Sequence, residues 1–174
     1  MQFKNVVIQS LAAVDAPVEM SSAEIGEQLR PATERLGLRS GLIEELSGIR
    51  TRRFWNNGTQ PSDAATMAAE KAIAEAEIDR NKIGVLINTS VCRDYLEPST
   101  ACLVHGNLGL HERCLNFDIG NACLAFLNGM DVAARMIERG EVEYALIVDA
   151  ESSRPITEAT IDRLLQPDVE EAQF

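Results

Sequence analysis

A chain of 174 residues that is 45% hydrophobic and 25% charged is long enough to enclose a core and polar enough to be globular. Its net charge of −11 argues against nucleic acid and anionic membrane surfaces as partners, and no apolar run approaches the length of a bilayer span. Four cysteines without CxxC spacing and only two histidines point away from a metal site and from a disulfide framework, so the reduced cytoplasm is the expected compartment.

The first residues run straight into a strand pattern rather than a signal peptide, and residues 3–14 read as a strand followed by a loop through Pro17. Ser21 is a candidate N-cap with Glu24 in the first turn. The helix that follows has Ile25 and Leu29 on one face, Pro31 as a kink or a division, and Gly37 as its end. A second short helix fits residues 40–46. Residues 47–55 read as extended and are closed by the turn signal Asn56-Asn57-Gly58. Within them Arg50, Arg52 and Arg53 stand beside Phe54 and Trp55. Such a group binds a phosphorylated ligand by charge and stacking, or is an ordinary solvated strand edge; the residues alone leave both readings open.

Pro61-Ser62-Asp63 opens the clearest helix, whose alanines at 64, 65, 68, 69, 72 and 76 make a small-residue face suited to packing on a sheet. Residues 82–90 are almost uninterruptedly apolar, the mark of a strand covered on both faces. Residues 92–97 form a loop, and Pro98-Ser99-Thr100 starts a helix that ends at Gly106 or Gly109. A buried strand is predicted over 114–119, a long helix from Ala122 to about Arg139, and a further buried strand over 144–148. Residues 157–165 begin another helix, Gln166-Pro167-Asp168 breaks it, and 169–174 read as one more helix start. Strands alternating with helices predict an α/β layered fold with a mixed, mostly parallel sheet flanked by helices and no internal domain boundary.

The passage from strand to helix at Gly120-Asn121-Ala122-Cys123 is the chemically telling point. It aims backbone N–H groups and the positive end of a helix dipole at the Cys123 sulfur, which suits a nucleophilic thiolate. A strand-to-helix elbow that carries a nucleophile is a known solution for acyl transfer. The plainer reading is a buried packing cysteine, since free Cys is among the most buried residue types.

Several stretches then fall in one order: Ser47-Gly48-Ile49-Arg50, Arg52-Arg53-Phe54, Pro98-Ser99-Thr100-Ala101, Phe117-Asp118-Ile119-Gly120-Asn121-Ala122-Cys123-Leu124-Ala125-Phe126, and Tyr144-Ala145-Leu146-Ile147-Val148. In that order they resemble the thiolase-fold condensing enzymes of the ketoacyl-acyl-carrier-protein synthase III type. The elbow and the stretch Asn88-Thr89-Ser90 to Arg93-Asp94-Tyr95-Leu96-Glu97 resemble the OleA branch, the acyl-CoA condensing enzymes of olefin biosynthesis.

The resemblance covers essentially all of residues 1–174 but only about the N-terminal half of the family. It implies Cys123 as the acylated nucleophile and Glu97 as the base that draws a proton from the second acyl-CoA, reaching into the active site of a neighbouring subunit. Arg50, Arg52 and Arg53 would lie toward the coenzyme A entrance. A Trp common in synthase III enzymes shortly before that segment is replaced here by Leu42.

The implied reaction is Claisen condensation of two long-chain acyl-CoA thioesters to a β-keto acid, with coenzyme A as the acyl carrier and no metal or other cofactor. A complementary C-terminal half would supply a His, an Asn and one oxyanion donor, since His105 and His111 match no catalytic position. The chain alone is then expected to be inactive and to expose an apolar face at Ala125, Phe126 and Met130, and the enzyme is expected to be a homodimer. Two other functions fit the same resemblance: a 3-oxoacyl-acyl-carrier-protein synthase III that uses a malonyl carrier, and a non-catalytic dimerisation half.

Overall fold

A computed structural model describes residues 2–170, which divide into two units. One is built from residues 2–14 and 58–151, the other from residues 15–57 and 152–170. The sequence predicts no internal boundary, and these units are defined by contacts between segments distant in the chain. No composition shift marks them.

In the second unit, β1 (Val18–Ser21) pairs antiparallel with β2 (Thr51–Phe54), Glu19 opposite Arg53 and Met20 opposite Arg52. Sequence analysis placed β2 within its extended segment and missed β1, a four-residue edge too short to show alternation. Ser21 closes β1 and caps α1 (Ser22–Arg35) with a reciprocal capping box to Glu24, as its position predicts. Pro31 sits exposed inside α1 and does not divide it. Ile25 and Leu29 form a small core with Ile161 of α6 (Arg154–Leu164), against which Ile43 of α2 (Leu42–Ser47) also packs. Helix α6 starts three residues earlier than the apolar spacing indicates, since Pro155 at its first turn is compatible with a helix start. Residues 169–170 are not helical, and the rest of the last predicted helix, 171–174, lies outside the described residues.

The first unit carries a three-stranded sheet in the order β4-β3-β5, formed by β3 (Ile83–Asn88), β4 (Leu115–Asp118) and β5 (Tyr144–Val148). All its pairings are parallel; the antiparallel pairing lies in the separate two-stranded sheet of the other unit. The near-continuous apolar run of β3 is explained by its central place, with Val85, Leu86 and Ile87 all fully buried. β4 is an edge strand rather than the wholly buried one expected, and Leu115 is 56% exposed.

Helix α3 (Pro61–Ala76) packs chiefly along α4 (Thr100–Leu108), so its alanine face serves a helix–helix contact more than the sheet contact predicted. Helix α5 (Ala125–Glu138) lies on the sheet through Ala125, Gly129 and Ala133, and Val85 and Ile87 meet Ala133 in the core beneath it. Gly129 is required there. A Cβ at that position would stand 2.9 Å from the Thr89 methyl and 3.2 Å from Ile147.

Residues 3–14 do not form the predicted strand. The segment lacks a neighbouring strand among the described residues, and side-chain bonds hold it instead. The amides of Lys4 and Asn5 donate to Glu138 (3.1 and 2.9 Å), Ser10 Oγ donates to Ala72 O, and Lys71 Nζ to Ala13 O. Its apolar residues Val7, Ile8 and Leu11 remain largely exposed.

Candidate active site

The sheet, the loop after β3 and the elbow after β4 build the site. At the end of β3, Asn88 is fully buried. Its Nδ2 donates to Asp118 Oδ1 (3.2 Å), and its Oδ1 accepts from Ser90 Oγ (2.5 Å). Asp118, at the end of β4, also accepts from the backbone amides of Thr100 (3.1 Å) and Ala101 (2.8 Å). One carboxylate thus joins two strand ends to the N-terminus of α4, where negative charge is favoured. Sequence reasoning quoted Asp118 only as part of a motif; a lone acid at a strand end carries no signal that it caps a helix 18 positions earlier.

From Asp118 the chain enters the elbow. Ile119 N still bonds to Asn88 O (2.8 Å), so the edge of the sheet carries the turn one residue further. Ala122 then takes φ +45°, a left-handed conformation that costs a non-glycine residue about 1–2 kcal/mol. The sequence suggested Gly120 and Asn121 as the turn, but the sterically demanding position is Ala122. Asn121 Nδ2 donates to Asn128 Oδ1 (2.7 Å), bracing the elbow against the first turn of α5.

Cys123 sits in a single 3-10 turn, Ala122–Leu124, that runs directly into α5. Its side chain is exposed, as a nucleophile needs and a packing cysteine does not. Neither the 3-10 turn nor α5 has a side-chain cap, so no side chain consumes the first amides of this combined helix. Such amides stabilise negative charge that develops on an oxygen near the sulfur.

The other cysteines differ. Cys114 is buried and burial pushes its thiol up, a bond with the Leu86 backbone offsetting this in part. Cys102 is exposed on α4 and Cys92 is half-buried in the loop after β3.

Glu97 occupies the loop of residues 91–99, exposed and next to the equally exposed Tyr95 and Leu96. The loop is fixed at both ends. Glu151 accepts from the amides of Val91 (2.7 Å) and Cys92 (2.9 Å), Asp94 accepts from Ser62 Oγ (2.6 Å), and Ser99 caps α4. Between these anchors, residues 95–98 project. Arg93 reaches back toward the elbow, its guanidinium 3.8 Å from where a Cβ on Gly120 would be.

The three arginines belong to the other unit. Arg52 is half-buried and donates to Ser22 Oγ (2.7 Å); Arg53 donates to Ala16 O (3.0 Å) and pairs with Glu19 across the β1–β2 ladder. The Arg50 side chain is 87% exposed and forms a 3.4 Å ion pair with Glu44. The structure therefore separates the cluster: two arginines brace β1 and β2, while Arg50 keeps most of its guanidinium in solvent.

His105, in the last turn of α4, and His111, just beyond it, bond locally: His105 Nε2 with His111 O, and His111 Nδ1 with the Arg113 amide. Among the described residues no group of three His, Cys, Asp or Glu is placed to hold a metal ion, and no helix is long and apolar enough to cross a membrane. The apolar face expected at Ala125, Phe126 and Met130 is displaced: Ala125 is fully buried and Phe126 and Met130 are half-buried, while Leu124 (58%) and Leu127 (60%) are exposed.

The family profile of 3-oxoacyl-[acyl-carrier-protein] synthase III matches residues 117–165, a span that includes the elbow. Over the whole chain, 54% of residues are identical to an acyl-CoA:acyl-CoA alkyltransferase of Xanthomonas campestris, of which the match covers 52%. The corresponding protein of Shewanella oneidensis is 42% identical over 165 residues, covering 47% of its length. A β-ketoacyl-[acyl-carrier-protein] synthase III of Aliarcobacter butzleri is 35% identical over 153 residues.

A crystal structure of a Xanthomonas campestris OleA variant with cerulenin superposes with a TM-score of 0.96 at 54% identity, covering 99% of this chain and 52% of that one. Other solved forms of that OleA carry substitutions at a glutamate and at a cysteine. The chain spans about half the length of the curated relatives it matches. In fold and in sequence it is similar to about half of an OleA-type, thiolase-like condensing enzyme, and more distantly to the ketoacyl-acyl-carrier-protein synthase III enzymes.

Proposed function

We propose that this chain is the N-terminal half of an acyl-CoA condensing enzyme that joins two long-chain acyl-CoA thioesters into a β-keto acid, as in long-chain olefin and hydrocarbon formation. The observation that carries the reading is the exposed Cys123 at a strained strand-to-helix elbow whose helix start has no side-chain cap. The identity to the acyl-CoA:acyl-CoA alkyltransferases, higher than to the synthase III relatives, supports acyl-CoA as the substrate of both steps.

In the first step the Cys123 sulfur attacks the thioester carbonyl, the oxyanion is held by amides at the helix start, and coenzyme A leaves as the thiol. In the second, Glu97 takes a proton from the α-carbon of another acyl-CoA. The resulting carbanion attacks the acyl-Cys123 carbonyl, and Cys123 leaves as a thiolate. Hydrolysis of the product thioester releases the β-keto acid and a second coenzyme A. Coenzyme A is the carrier, and no metal or other cofactor has a part.

A His and an Asn from the complementary C-terminal half complete the site, and the Glu97 loop projects toward the neighbouring subunit of a cytoplasmic homodimer. Arg50, the arginine least engaged by its own unit, is the member of its cluster that meets a coenzyme A phosphate; Arg52 and Arg53 hold the strand pair that presents it. The test is product analysis with the full-length enzyme. Two acyl-CoA molecules should yield one β-keto acid and two free coenzyme A. Two-carbon extension with release of carbon dioxide from a malonyl carrier would show a synthase III instead, and no turnover of either would show a non-catalytic half.

A further inference from the structure

Glu151 follows β5 by three residues and belongs to none of the motifs that carry the family resemblance. Its two carboxylate oxygens accept from two consecutive backbone amides, Val91 (2.7 Å) and Cys92 (2.9 Å). That pair of bonds fixes the base of the loop that carries Glu97 to the end of the same sheet from which the Cys123 elbow departs. The next anchor is Asp94, whose carboxylate accepts from Ser62 Oγ and N at the start of α3. The far end is held where Asp118 accepts from the first amides of α4. The Glu151 clamp joins the loop to the segment just after β5, and charge-assisted bonds to backbone amides hold geometry more firmly than neutral ones.

We propose that Glu151 is the positioning residue of the Glu97 loop, a role that rests on the reading of Glu97 as the base of the condensation step. Glu151 touches neither substrate nor the reacting atoms; it sets where the projecting tip, and with it the Glu97 carboxylate, comes to lie. Misplacing a reacting group by about 1 Å costs on the order of 10²-fold in rate.

The test uses the full-length enzyme and two half-reactions: acyl transfer to Cys123 from a single acyl-CoA, and condensation with a second. Glu151→Ala should slow condensation by about 10²-fold while acyl transfer stays within about twofold of the parent. Backbone amides of the 91–98 segment should exchange with deuterium faster. Glu151→Gln, which keeps one acceptor oxygen, should recover part of the rate and serves as the readout should the Ala variant fold poorly. Combined with Glu97→Gln, Glu151→Ala should cause no further loss of residual condensation, because one residue acts through the other.

Normal condensation by both Glu151 variants, or losses that multiply with that of Glu97→Gln, would overturn the proposal. Unimpaired condensation by Glu97→Gln alone would instead sink the base assignment beneath it, so the two failures are distinguishable.

Discussion

Replacing Gly129 with Ala adds one methyl group at the closest approach between α5 and the sheet. The new Cβ would lie 2.9 Å from Thr89 Cγ2, 3.2 Å from Ile147 Cγ2 and 3.5 Å from Ile87 Cγ2. The first contact cannot relax cheaply. Thr89 is 1% exposed, and its hydroxyl donates to Val148 O (3.0 Å) and Asp149 Oδ2 (3.1 Å), so rotating the methyl away breaks those bonds. Overpacking of this kind costs about 1–3 kcal/mol, whereas Ala in place of Gly inside a helix gains about 1 kcal/mol. The steric cost exceeds the gain, leaving a net loss of about 1 kcal/mol and a fall in melting temperature of about 2–4 °C.

Gly26 provides the internal comparison. It lies within α1 with nothing inside 4 Å of a new Cβ, so Gly26→Ala should stabilise by about 0.5–1 kcal/mol. Urea denaturation of both variants measures the pair. A Gly129→Ala protein as stable as Gly26→Ala would refute the packing argument for α5.

Asp118→Ala should be the most damaging of the site substitutions, by about 3–5 kcal/mol, because it strands three donors on the fully buried Asn88, Thr100 and Ala101; Asp118→Asn, measured by the same denaturation, should lose less. Asp149 is held above the ordinary carboxylate range by partial burial, the Thr89 hydroxyl opposing this and the Glu151 charge adding to it. A carboxyl raised in the folded state contributes stability while protonated and loses it as pH rises through the folded pKa. Asp149→Asn should therefore be more stable than the parent at neutral pH, with the advantage vanishing as melts are taken down to strongly acidic pH. Arg53→Ala should cost about 1–3 kcal/mol by denaturation, most of it from the lost part-buried bond to Ala16 O and little from the solvent-exposed pair with Glu19. Iodoacetamide under native conditions should label Cys123 and Cys102 and spare Cys114 until the protein is unfolded, which peptide mass mapping reads directly.

The helices and the central strands are legible in the sequence because each carries a local signal: the Ser21–Glu24 box, the Pro61 start, the unbroken apolar run of β3, the Gly109 end of α4. Features that depend on a distant partner are not legible. Residues 3–14 have a strand's composition but no strand beside them, and β1 has a partner but too few residues to show a pattern. The elbow was located by its change of period from strand to helix. Its strain is not legible, because Ala122 takes a left-handed conformation that composition assigns to glycine or asparagine. Glu97 needed the family resemblance, since a loop carboxylate beside a proline is ordinary by itself. The anchors Asp118, Asp94 and Glu151 emerge only when segments 18, 32 and 59–60 residues apart meet in the fold.

The most direct measurement of the central claim is the site of the acyl adduct. Full-length enzyme incubated with one long-chain acyl-CoA, digested and mapped by mass spectrometry, should carry the acyl group as a thioester on Cys123, and Glu97→Ala should carry the same adduct while failing to condense it with a second acyl-CoA. An adduct on Cys92, Cys102 or Cys114 with Cys123 unmodified would contradict the account.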